Sequence, residues 1–140
     1  MTSRSGEPPS YDEVDAFDLP EWLGEASVTW EADRSLASGD RVPGRLSAAG
    51  EEPVACDLLG VDDAFPRPVA GDEVRVRAHQ LWRHGEVLLV RDGDHLVLAL
   101  PGSRLDAETA LEAIARLAKA VGAVPGRYAV RLRVGADQRR

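Results

Sequence analysis

A chain of 140 residues that is 44% hydrophobic and 29% charged has the size and composition of one ordinary globular domain. At that length about 70% of the unfolded surface is buried on folding, so no metal or disulfide is required, and the single cysteine, Cys56, excludes an internal disulfide. The formal charge of −7 divides into −11 over residues 1–63 and +4 over residues 64–140. An acidic front half cannot neutralise phosphates, which makes nucleic acid an unlikely partner for the whole chain.

Aromatic residues make up only 5% of the chain, so its core must be built mostly from Leu, Val and Ala. There is one Lys against 16 Arg, one Ile and no Asn, a bias against AT-rich codons that fits a GC-rich bacterial genome. The first 25 residues lack a basic region followed by an apolar one, so no signal peptide is expected. No apolar run approaches about 18 residues, so no membrane span is expected and the reading is cytoplasmic.

Residues 1–15 are polar and acidic, with Pro8-Pro9, and are expected to form a disordered acidic tail. Residues 16–135 are expected to fold as a single α+β domain, with residues 136–140 as a flexible tail. Phe17, Leu19, Trp22 and Leu23 are too apolar for a free tail; Pro20 can open a single turn that ends at Gly24. They either dock on the domain's own core or form an acidic–aromatic element that docks on a partner.

Val28–Ala32 alternates as a strand. Val42–Ala48 reads as a weaker one, and Pro43 and Gly44 place it at a sheet edge. Pro53–Val61 completes an antiparallel meander, and Asp62–Gly71 reads as an irregular connection. Asp72–His84 fits two periods. Val74, Val76 and Ala78 alternate as in a strand, whereas Val74, Ala78, Leu81 and Trp82 form a helix face. Asp72 as N-cap and Gly85 as a C-terminal stop favour the helix, with Val76 as its misfit. Asp92-Gly93 between two apolar runs predicts a hairpin. Asp106–Val121 predicts a helix with an apolar stripe of Leu111, Ile114, Leu117, Ala118 and Val121 and a Glu112–Arg116 pair, stopped by Gly122. Arg127–Val134 predicts a last strand. The expected architecture is an antiparallel sheet with two helices.

No motif specifies a reaction. Ser103 lacks a G-x-S-x-G elbow, Asp92 and Asp94 supply only a fragment of a calcium loop, and no glycine-rich phosphate cradle occurs. His79 and His84 stand about 140° apart on a helix, which is wrong for a shared metal, and no second Cys supports zinc. No metal or cofactor is expected. Cys56-Asp57 offers a nucleophile beside an acid, but a Cys in an apolar run is more often buried and inert. The polar residues without an evident structural role are His79, Arg83 and His84. Arg127, Arg131 and Arg133 form a candidate patch for an anionic partner.

The blocks Phe17-Asp-Leu-Pro-Glu-Trp-Leu, Cys56-Asp-Leu-Leu, Ala78-His-Gln-Leu-Trp-Arg-His-Gly and Leu98-Ala-Leu-Pro-Gly resemble a family of small actinobacterial proteins with no assigned activity. The likeness spans roughly residues 17–134; it implies a cytoplasmic actinobacterial setting and nothing catalytic. The functional expectation is a non-catalytic protein-interaction or accessory module whose partner is another protein. The alternative is a small enzyme or ligand-binding protein with a site around His79, Trp82 and His84.

Overall fold

An apolar run buried on both of its faces belongs in the interior of a sheet. Two such runs, β5 (Val54–Gly60) and β7 (His95–Leu100), lie side by side and parallel, with Leu58 opposite Leu98. The computed structural model describes residues 11–36, 40–62, 68–102 and 105–133. β6 (Leu88–Asp92) joins β7 as the expected hairpin, turning at Gly93 with φ +64°. On the other side of β5 come β3 (Arg41–Val42) and β4 (Gly44–Ser47), then β2 (Val28–Ser35), then β8 (Tyr128–Arg133). Beside β6 lies the short β1 (Asp12–Glu13), giving a sheet of eight strands in the order β1-β6-β7-β5-β4-β2-β8 with β3 against β5.

The expected meander of β2, β4 and β5 is present and antiparallel. The sheet as a whole is mixed, because β5 is parallel to β7 and β2 is parallel to β8. Among the described residues three α-helices accompany it rather than two, since the turn after Pro20 becomes the four-residue α1 (Trp22–Glu25).

Side-chain alternation along the central strands feeds two cores. Cys56, Leu58, Leu96 and Leu98 pack with Ala113, Ile114 and Leu117 of α3 (Ala107–Ala120). Leu59, Val97, Ala99, Leu88 and Val90 pack with Ala78 of α2 (Asp72–Arg83), flanked by half-buried Val74 and Leu81. Each fully buried Leu, Ile or Val adds about 1.5–3 kcal/mol of transfer free energy.

The helix reading of residues 72–84 holds, and its misfit Val76 is 57% exposed. The N-cap is Gly71; Asp72 is the first helical residue and pairs with Arg75. Asp106 caps α3 as expected, its carboxylate accepting the Thr109 N–H at 2.8 Å. That bond holds the carboxyl below its ordinary pKa. Leu111 leaves the expected stripe and is exposed; small Ala110 and Ala113 meet the sheet instead and let α3 approach it.

Two further expectations are corrected. The strand containing Pro43 is interior, not an edge. Arg41 pairs with Leu59 and Val42 with Leu58, Arg45 with Ala55 and Leu46 with Val54, so one register runs through the proline. The missing N–H costs one ladder position, while the Pro43 carbonyl still accepts from the Asp33 N–H at 2.7 Å. Residues 11–15, assigned to a disordered tail, are placed on the sheet: Asp12 is opposite Arg91, Glu13 opposite Val90, and the Val14 N–H donates to the Leu89 carbonyl at 2.8 Å. Ser103, Val134, residues 1–10 and the tail 136–140 lie outside the described residues.

Gly44 has a steric duty. The Trp30 indole crosses β4 to donate from Nε1 to the Cys56 carbonyl at 2.8 Å. A Cβ on Gly44 would stand 2.6 Å from that ring and 2.8 Å from the Glu31 carbonyl oxygen. Gly44→Ala is expected to cost about 1–3 kcal/mol in urea unfolding, whereas Gly126→Ala, which meets open space, should stay within about 0.5 kcal/mol.

Candidate functional site

Asp57 sits in β5 among apolar neighbours and is 2% exposed. A carboxylate so buried is costly unless it is paired and hydrogen-bonded. Arg41 on β3 supplies the pairing, with Nε at 2.9 Å and Nη2 at 2.8 Å, both on Oδ2. The Gly44 N–H reaches Oδ1 at 3.4 Å, and His95 at the start of β7 places Nδ1 3.2–3.3 Å from the two oxygens. The remaining Arg41 nitrogen, Nη1, donates to Asp92 at the end of β6 at 2.8 Å and to the Tyr11 hydroxyl at 3.5 Å. Burial works against the Arg41 charge, but the bonds to Asp92 and Asp57 outweigh it and hold its pKa above the ordinary value. Burial also raises the Tyr11 phenol, with Arg41 opposing.

Strand alternation sets this geometry. Asp57, Asp92 and His95 fall on the α2 side of the sheet, and the hairpin brings Asp92 opposite His95. The hairpin and the parallel β5–β7 register together put both within reach of one arginine. An imidazole whose Nδ1 proton points at a buried carboxylate presents the Nε2 lone pair outward. His95 is 47% exposed, so the pair can orient a base, accept a hydrogen bond or hold a ligand. The same contacts tie β3, β5, β6, β7 and the segment before β1 to one buried charge.

The residues singled out in the sequence are distributed differently. His79 donates from Nε2 to the Val61 carbonyl at 3.0 Å and thereby ties α2 to the end of β5. Arg83 and His84 are exposed at the end of α2, with His84 as the C-cap residue. Trp82 lies under the Arg116 guanidinium, 3.5 Å from ring centroid to cation; Arg116 also donates to the Trp82 carbonyl and to Glu112, both at 2.7 Å. His79 is thus engaged with the end of β5 and Trp82 with Arg116 of α3. His84 instead joins Arg116 and Lys119 along a shallow cleft of about 340 Å³.

In the front segment Leu23 is fully buried, Leu19 and Trp22 pack on the core, and Phe17 stands 92% exposed. From the arginine patch, Arg127 donates to the Glu25 carbonyl at 2.7 Å, beside a bond from the Tyr128 hydroxyl to the Leu23 carbonyl. Arg131 is exposed on β8, and the Arg133 side chain lies outside the described residues. Cys56 is fully buried, and burial pushes its thiol pKa far up, with Asp57 adding to the effect. It is thus held as an unreactive thiol.

The Asp57 cluster was missed because Arg41 lies 16 residues from Asp57 and 51 from Asp92, and His95 lies 38 from Asp57. The one available signal was an acid inside an apolar run, which demands a cation from somewhere. Among the described residues no three His, Cys, Asp or Glu side chains gather as metal ligands, and no helix is long and apolar enough to cross a membrane. Comparison with protein-family models, curated proteins and solved structures finds no match for the chain.

Arg41→Ala strands a buried carboxylate and is expected to cost about 3 kcal/mol of unfolding free energy. Asp92→Ala removes a partner that is 43% exposed and should cost less than about 1 kcal/mol. Equal losses in denaturant titration would show that burial of Asp57 does not set the scale.

A pH dependence also follows. The Tyr11, Tyr128 and Cys56 pKa values are all raised by burial. The folded chain holds these protons more tightly than the unfolded chain, so their stabilisation is complete below each group's unfolded pKa, about 8.5 for Cys56 and about 10 for the tyrosines, and is lost as pH rises further. Both tyrosines should ionise late in an ultraviolet phenolate titration, with stability falling over the same range. Replacing both by Phe should weaken that fall, leaving the Cys56 part.

Proposed function

We propose that the chain is a non-catalytic protein-interaction or accessory module working in an actinobacterial cytoplasm. The observation that carries this reading is the mounting of Phe17. Its ring is 92% exposed, yet its backbone is fixed in a 3-10 turn (Ala16–Asp18) whose cap, Asp15, accepts the Phe17 N–H at 3.0 Å. Buried Leu23 and the packed Leu19 and Trp22 anchor the segment just behind it. A large aromatic ring on a built support, among exposed Asp15, Asp18 and Glu21, has the features of an interface anchor. Its complement is an apolar pocket with a basic rim, and the net −11 of residues 1–63 steers such a partner inward.

Phe17→Ala should leave stability within about 0.5 kcal/mol, because the ring is outside the core. A photo-crosslinking side chain at position 17 should give one discrete adduct in cells. Affinity for the protein so captured should drop by about tenfold or more in Phe17→Ala, as for an interface anchor. A diffuse smear of adducts, or unchanged affinity, would sink the proposal.

The Asp57–His95 contact supports a second reading, a small enzyme or ligand-binding protein, with its site at His95 instead of at His79, Trp82 and His84. A thermal-shift screen of metabolites should then yield a compound that stabilises the wild type but not His95→Ala. A screen whose hits act equally on both would remove this reading.

A further inference from the structure

The outer edge of β6 is closed by the chain's own residues Tyr11–Val14, and the closure is incomplete. β6 spans five residues, but β1 pairs with only two of them, with one further bond from the Val14 N–H to the Leu89 carbonyl. Both β1 side chains are exposed. Two clefts of about 410 and 450 Å³ flank the strap, and both are lined by Glu13, Arg77 and Leu88. Tyr11 and Val14 pack against the two cores, but interiors are close-packed, and the exposed Asp12–Glu13 stretch between them is bordered by open space on two sides. Its one ion pair with α2, Glu13–Arg77 at 3.2 Å, is about half exposed at each end and is worth about 0–1 kcal/mol.

We propose that the β6 edge is a strand-docking site occupied in cis by this strap, and that its partner is an extended acidic segment carrying an aromatic residue two positions before a Glu. The strap itself defines that chemistry. The Tyr11 hydroxyl meets Arg41, the Glu13 carboxylate meets Arg77, and the backbone between them pairs with Arg91 and Val90. Of the charged residues lining the two clefts, Asp12 and Glu13 leave with the strap, and Asp15 follows just behind it. The domain keeps Arg77 and Glu73 there, over an apolar floor that includes Val74, Leu88 and Val90. Strand addition draws affinity from main-chain bonds and specificity from alternate side chains. Because the strap is tethered, its effective concentration is on the order of millimolar, and it masks the edge from weaker competitors. The proposal rests on the interaction-module reading but uses a surface separate from Phe17.

The test uses the full-length chain and a fluorescent peptide of residues 8–16 of this sequence, which omits Phe17. In anisotropy titrations, a Tyr11→Ala/Glu13→Ala chain should bind the peptide at least tenfold more tightly than the wild type. A scrambled peptide should not bind, and adding Arg77→Ala should weaken binding again. Should the double variant fail to fold by circular dichroism, Val14→Pro releases the strap by deleting the bond to Leu89 and serves the same test. Equal binding to wild type and released chain, binding of the scrambled peptide, or none to any folded variant would overturn the proposal. A null result here with an intact Phe17 effect strikes the edge alone; loss of the Phe17 effect with peptide binding retained strikes the other surface alone.

Discussion

A negative charge buried in the middle of a sheet must be neutralised, and the arrangement around β5 follows from that demand. Asp57 at 2% exposure needs Arg41, and satisfying it fixes where β3 lies against β5. Arg41 in turn reaches Asp92 and Tyr11, so the hairpin end and the front segment are held by the same guanidinium. An apolar residue at position 57 could stabilise the strand as well or better, since buried ion pairs rarely exceed a packed hydrophobe. What the carboxylate adds is definition: one register of β3 against β5, and one orientation of the His95 ring.

The local signals in the sequence were strong where periodicity and capping agree. Asp106, Ile114, Leu117 and Gly122 mark α3 almost to the residue, and Asp92-Gly93 marks the hairpin. Residues 72–83 could be read as helix because Gly85 closes them, even though Val76 breaks the stripe. Neighbour relations were much less visible. A period of two tells which side chains share a face but not which strand lies alongside, so the parallel pairing of β8 with β2 left no trace. Pro43 misled for a physical reason: its missing N–H weakens one ladder position, yet the neighbouring positions keep register and Gly44 finds the Asp57 carboxylate. The site was hidden in the same way. Asp57 was noticed as the neighbour of Cys56, whereas its chemistry comes from Arg41 and His95, which only the tertiary fold delivers.

The front of the chain changes character once placed on the sheet. Its apolar residues divide by depth, with Leu23 in the core, Leu19 and Trp22 against it and Phe17 outside. Its acidic residues likewise divide between those that engage the domain, as Glu13 does with Arg77, and those that face solvent. One stretch therefore acts as cover for an edge at its beginning, as a display at its middle and as an anchor at its end.

The clamp between α1 and the start of β8 bears on how the protein folds. Arg127 and Tyr128 hold the Glu25 and Leu23 carbonyls across separations of 102 and 105 residues, and β2 has its parallel partner only in β8. Contacts of such long sequence separation form slowly, because the loop they close must be ordered before they repay it. One edge of β2 can pair with β4 early, but its other edge stays open until β8 forms. Until then the Trp30 strand is an unfinished edge, and any cut that removes residues after Arg127 strands both ends at once.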